Sequence, residues 1–159
     1  MNMVEKDFLK EELKTYVLRR WFVDIEEAND EMIRIALAEV IKNHYVKDNW
    51  IKSKKDTKRK IHYFSMEFMT GKQLKTNLIN LGKLDLVREI FEELNIDFNK
   101  VMSSEIEPKI ANGGLGRLAF AIMNGTANMD KNACGNGLLY KEGIFEQHFI
   151  HGKQVETQD

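Results

Sequence analysis

The sequence predicts an α/β protein in which helices dominate and the sheet is barely begun. Three observations predict it. The first half repeats apolar residues at spacings of three and four, as amphipathic helices do. One aromatic-rich run, residues 61–68, interrupts those helices and reads as a buried strand. After Lys131 glycines punctuate short apolar runs, the pattern of strands joined by turns. Helix and strand patterns in this order fit helices layered on a sheet.

Taken in order, residues 5–22 carry Leu9, Leu13, Tyr16, Val17 and Trp21 on one helical face. Asn29 or Asp30 can cap a second helix, in which Met32, Ile33, Ala36, Leu37, Val40 and Ile41 form one apolar stripe. The basic run "KSKKDTKRK", 52–60, holds one aspartate and no interleaved aromatics. It reads as a solvated loop rather than a phosphate grip or a localisation signal. The strand "IHYFSMEF" follows. Gly71 opens a third helical segment, with Leu74, Leu78 and Leu81 inward and Gly82 as its C-terminal cap. Leu86, Val87, Ile90, Phe91 and Leu94 define a fourth helix that stops near Asn95. A turn-rich stretch leads to Pro108, the one proline. "ANGGLGRLAFA" then begins a fifth helix, with Leu115, Leu118, Ala119, Ile122 and Met123 on one face. The remainder reads as strands or a hairpin turning near Gly152. Nothing repeats internally. An extended segment running to the last residue suggests a piece of something larger, a single partial domain over 1–159 with a helical lead-in over 1–50 and the α/β part over 60–159.

Composition excludes several classes. The 159 residues are 43% hydrophobic and 31% charged, ordinary for a globular domain with a core. A formal net charge of −1 gives no global attraction for nucleic acid or an anionic membrane. No apolar run approaches the roughly 20 residues that span a bilayer. The charged start, "MNMVEKDFLKEELK", lacks the apolar centre of a secretory signal, so the expected location is cytoplasmic. Cys134 stands alone, which excludes an internal disulfide and argues against a cysteine-rich metal site.

Chemistry concentrates at the glycines. A helix start has amides without partners and a positive dipole end, and glycines let an anion approach them closely. Gly113 and Gly114 would supply such amides, with Leu115 and Gly116 in the first turn. The competing reading is a sharp turn into a closely packed helix, and the local sequence leaves both open. Gly114, Gly116 and Ala119 also fit the dinucleotide pattern G-x-G-x-x-A. However, "SSEIEPKIA" precedes it instead of an apolar strand, and the acidic residue expected about 20 residues on is missing, which argues against a nicotinamide or flavin. His148 and His151 offer too few ligands for a metal and, on a strand, would face opposite ways. Asn124-Gly125-Thr126 fits the glycosylation pattern, but no signal peptide leads it to that machinery. Glu67, between Met66 and Phe68, must be hydrogen-bonded or border a cleft, because an unpaired buried carboxylate is costly.

Three motifs in register, "YFSMEFMTGKQLKTNLINLG", "NGGLGRLA" and "GNGLLYKEGIFEQ", resemble the amino-terminal part of the glycogen (α-1,4-glucan) phosphorylases. The resemblance runs from about Asp30 to the last residue. It implies the helix-rich beginning of the first Rossmann-like domain of a GT-B-type glycosyltransferase fold, with the sheet incomplete. It implies phosphorolysis of α-1,4-glucan by inorganic phosphate to release glucose 1-phosphate, with pyridoxal phosphate as cofactor and usually a homodimer. Carried onto this chain, the resemblance makes Gly113 and Gly114 the phosphate-facing amides and sets Leu115 against the glucosyl unit. It gives Glu67 a supporting place at the cleft, puts Met69 and Gly71 on the stretch near the cofactor, and leaves Arg117 a structural role.

The chain also departs from the family pattern. Lys72 and Leu139 stand where arginines are usual, and a leucine there loses the charge altogether. Lys141-Glu142 replaces an aromatic position, Asn124-Gly125 an Asp-Ser pair, and Ala111 a glycine. The family's cofactor lysine and second domain have no counterpart in these residues, so whether the chain is itself an enzyme stays open. No cofactor is expected on it alone and no phosphorylase activity from it alone. The alternative is a non-enzymatic module that binds an anion or glucan or pairs with another polypeptide. Faces such as Ile33, Leu37 and Val40, or Leu118 and Ile122, are expected to seek a sheet that is mostly absent, which would favour self-association.

Overall fold

A side-chain cap starts the second helix where the sequence suggests one. Asn29 Oδ1 accepts the Met32 amide at 2.9 Å, which decides between Asn29 and Asp30. The computed structural model describes residues 3–48, 59–107, 110–111, 113–139 and 146–157. They form two compact units, Met1–Asp56 with Lys72–Ile106, and Thr57–Gly71 with Glu107–Asp159. Residues 52–58 of the basic run, Pro108 and Lys141-Glu142 lie outside the described residues; Arg59 and Lys60 are exposed.

The first unit is helical. Helix α1, Met3–Trp21, buries Leu9, Leu13 and Val17. Helix α2, Asp30–Ile41, buries Ile33, Ala36, Leu37, Val40 and Ile41, then continues into a π-helical turn, Lys42–Val46. Helices α3, Leu74–Asn80, α4, Leu84–Glu93, and α5, Phe98–Ser103, complete it. Their apolar faces meet in one core that includes Leu78, Val87, Ile90, Phe91 and Val101. The Ile33, Leu37 and Val40 face, expected to seek a sheet, is instead covered by helices, because α2 packs on α1 and α5.

Local chemistry closes these helices. Gly82 has φ +64° after α3, its amide bonds the Ile79 carbonyl, and the Lys83 amide bonds that of Leu78. This is a Schellman arrangement, as the glycine suggests. Asn95, φ 55°, closes α4 in the same way, with its amide on the Glu92 carbonyl and that of Ile96 on the Phe91 carbonyl. Helix α5 was not legible as a helix: six residues carry too little periodicity, though Asp97 caps it by accepting the Asn99 and Lys100 amides. The Glu105 carboxylate caps α3 from a distance, accepting the Gln73 amide at 2.8 Å and the Leu74 amide at 3.2 Å. Charges tie α1 to α4: Lys6 and Lys10 reach Glu93 at 2.5 and 2.6 Å.

The second unit is α/β. Strand β1, Ile61–Phe64, pairs in parallel with β2, Ala133–Asn136, in a register from Ile61–Ala133 to Phe64–Asn136. Helix α6, Gly114–Asn128, lies between them in sequence and packs on β2. Strands β3, Glu146–Ile150, and β4, Lys153–Thr157, form an antiparallel hairpin. His151 and Gly152 make its two-residue turn with φ 51° and 75°, the twist that primed turns supply. His151 therefore sits in the turn rather than on a strand, while His148 lies 3.4 Å from Glu146.

Two expectations for this unit are corrected. The strand is neither buried nor eight residues long: it ends at Phe64, which is 75% exposed. Among the described residues little packs over the faces of β1 that carry Ile61 and Phe64, and at Ser65 the chain turns away. Helix α6 buries Gly116 and Ala119, with Phe120 and Met123 half-buried. Leu115, Leu118 and Ile122 stay on its exposed side. Its packing face is the one with small residues, which permits close approach of the backbone.

Candidate functional site

The segment after β1 is shaped by one serine. The Ser65 hydroxyl donates to the Glu67 carbonyl at 2.8 Å and accepts the Glu67 amide at 3.2 Å, folding the chain sharply. The next two amides reach the glycine loop on either side: Phe68 N–H bonds the Ile110 carbonyl at 3.0 Å, and Met69 N–H that of Gly116 at 2.9 Å. Sequence-distant residues 67–69 and 110–116 thereby become neighbours. Glu67 is the one buried charged residue among those described, at 8% exposure. Gly71 ends the segment with φ +67°, a conformation that favours glycine.

The glycines of the loop have different surroundings. A Cβ placed on Gly113 or Gly114 would meet no described heavy atom within 4 Å. Neither has the positive φ that favours glycine. Among the described residues, packing therefore does not ask for glycine at either position. Gly116 is the opposite: a Cβ there would lie 2.5 Å from the Ala111 Cβ and 3.0 Å from the Met69 nitrogen. Close packing thus accounts for Gly116, while no described atom crowds Gly113 or Gly114. Helix α6 is 15 residues long, and its first amides have no acceptor within the helix. The Arg117 amide bonds the Gly113 carbonyl at 3.1 Å as the helix begins, while the Arg117 side chain is exposed.

The structure therefore brings Glu67, Met69 and the helix start together. Leu115, 54% exposed, is available beside the loop. Two glycines that sequence reasoning treated only as strand punctuation matter here as well. The Phe68 ring lies over Gly135 and Gly137, where an added Cβ would come within 3.1 and 3.0 Å of it. The glycine–Asn–glycine spacing was the available signal, since alternate strand residues share a face. Phe68, Phe120, Met123, Leu138 and Leu139 line an open apolar groove of about 460 Å³ whose lining includes neither Gly113 nor Gly114. Of the departures, Lys72 donates to the Ser103 carbonyl at 2.8 Å, and Leu139 is 88% exposed.

The long helix α6 of the α/β unit thus begins beside the buried Glu67. Comparison with known proteins makes the class specific. Residues 91–159 match the carbohydrate phosphorylase family. The chain is 38% identical over 156 residues to the glycogen phosphorylase of Chlamydia pneumoniae, an alignment covering 92% of this chain and 19% of that protein. It is 36% identical to the glycogen phosphorylase of Bacillus subtilis, over 72% of this chain and 15% of that protein. It is also 36% identical to the human brain form of glycogen phosphorylase, over 78% and 15%. The chain belongs to the carbohydrate phosphorylase family and spans less than a fifth of the length of these relatives.

Full-length members of this family use pyridoxal phosphate, which is held through a lysine. The described lysines of the α/β unit, Lys60, Lys131 and Lys153, are all exposed. An exposed ammonium lacks the desolvation that readies a lysine for a Schiff base. The described residues of this unit do not fit covalent attachment of that cofactor. Among the described residues, no helix is long and apolar enough to cross a membrane.

Proposed function

We propose that these 159 residues are an amino-terminal portion of a cytoplasmic α-1,4-glucan phosphorylase and carry the amide half of its phosphate site. In this reading they are a partial domain, the start of the first Rossmann-like domain of a GT-B-type fold. The Gly113 and Gly114 amides face the substrate phosphate, Leu115 lies against the glucosyl unit, and Glu67 borders the cleft. Met69 and Gly71 line the approach to the cofactor, and Arg117 serves structure. The observation that carries the reading is that Gly113 and Gly114 begin a 15-residue helix at positions where no described atom lies within 4 Å of an added Cβ. A helix start, whose first amides have no acceptor within the helix, can hold a phosphate oxygen at hydrogen-bonding distance, and an anion is favoured there by the dipole.

The same reading makes the 159 residues inactive by themselves. Phosphoryl and glucosyl groups must be positioned and their developing charge stabilised from both sides of a closed cleft. One loop of amides supplies a single side. An antibody raised to residues 60–150 tests both parts. Material it precipitates from cells of the source organism is expected to form glucose 1-phosphate from glucan and inorganic phosphate. The purified 159-residue chain with pyridoxal phosphate added is expected to form none. A precipitate without that activity, or activity from the chain alone, contradicts the proposal.

A further inference from the structure

Adjacent amides of one segment hold the glycine loop at both ends. Phe68 donates to Ile110 and Met69 donates to Gly116, so the loop is anchored at 110 and 116 by neighbouring residues. At the second anchor the backbones are in close contact. Gly116 lies inside a helix, so its conformation is open to any residue. Its surroundings are not: a Cβ would stand 2.5 Å from the Ala111 Cβ, 3.0 Å from the Met69 nitrogen and 3.2 Å from the Glu67 Cβ. The Ala111 methyl is one atom long and cannot rotate aside, so the helix or the segment would have to move.

We propose that Gly116 is a positioning residue: its missing side chain seats the first turn of α6 on the 67–69 segment and so fixes the Gly113 and Gly114 amides relative to Glu67. This rests on the reading of those amides as a phosphate site. Ala111 is the limiting neighbour. Enlarging residue 116 shifts the helix start, and removing the 111 methyl returns most of the room.

The test compares the 159-residue chain with Gly116→Ala and with the double variant Gly116→Ala/Ala111→Gly. Two quantities are read by amide-resolved NMR: hydrogen exchange of the Met69 amide, and the shifts of the Gly113 and Gly114 amides on titration with inorganic phosphate. Gly116→Ala is expected to speed Met69 exchange roughly tenfold, as a local opening does, and to weaken the phosphate response by a similar factor. The double variant is expected to return both to within about threefold of the parent, the coupling expected of residues in contact. Unchanged Met69 exchange in Gly116→Ala overturns the proposal, as does a loss that Ala111→Gly leaves unrepaired. If Gly116→Ala unfolds the α/β unit, the double variant decides: refolding supports the proposal and failure to refold overturns it. If phosphate moves neither glycine amide in the parent chain, the phosphate reading fails, while Met69 exchange still decides the role of Gly116.

Discussion

The two units differ in how they are held together. In the helical unit, side chains such as Val17, Leu78, Ile90 and Phe91 are fully buried. In the α/β unit, Ala119 is the one buried apolar side chain among the described residues, and Phe64, Leu118, Leu138 and Phe149 are exposed. Burial of a large apolar side chain contributes about 1.5–3 kcal/mol. The helical unit therefore has its stability built in. The α/β unit relies on backbone ladders, the Ser65 turn and the glycine contacts under Phe68. The chemistry suggested by the family lies in the second unit, on the part with the least core of its own.

The largest expected effect would break this contrast if it failed. Phe91→Ala should cost about 3–5 kcal/mol, the range for a fully buried aromatic. Phe64→Ala should stay within about 0.5 kcal/mol, as exposed substitutions do. Urea unfolding followed by circular dichroism reads both. Equal costs would mean that the α/β unit is packed as tightly as the helical one.

Acid sharpens the contrast next. Hydrogen bonds from Lys10 and then Lys6 hold the Glu93 carboxyl down at about 2, against an ordinary 4.5. A lowered folded-state value stabilises above the ordinary range and the gain is lost as pH falls toward the lowered one. Melting temperature should therefore drop between about pH 4.5 and 2 through this group, and Glu93→Gln should flatten that limb. An unchanged acid limb in Glu93→Gln would remove Glu93 from the account. The Glu93 carboxylate is exposed and its ion pairs are screened by salt, so the effect is smaller than that of Phe91.

The smallest effect concerns association. Leu118 and Ile122 lie on the exposed side of α6, and exposed apolar surface favours self-contact. Leu118→Ser with Ile122→Ser should shift the sedimentation profile toward the monomer without changing the helical signal. A monomeric parent chain would show that this face needs no cover.

What the sequence made legible was local. Asn29, Gly82, Asn95 and the turn at Gly152 act through their own backbone or the next few residues, so their roles can be read where they stand. Burial cannot. Ile61 and Phe64 look like core residues because aromatic runs usually lie under a packed layer, yet little among the described residues covers them. The inward face of α6 was misread for a related reason. Its large residues suggested the packing face, whereas a close backbone approach selects Gly116 and Ala119. The loop itself was half legible. The motif indicated both an open approach and tight packing, and the neighbours Ala111, Glu67 and Met69 place the tight packing at Gly116.

The central claim is that this chain is part of a working phosphorylase and that its open glycine amides belong to a phosphate site. Its most direct test is the size of the native product, read by immunoblot of cells of the source organism with an antibody to residues 60–150. The account predicts a band several times larger than 18.6 kDa, in keeping with relatives of which this chain spans less than a fifth. A band only at 18.6 kDa would contradict it.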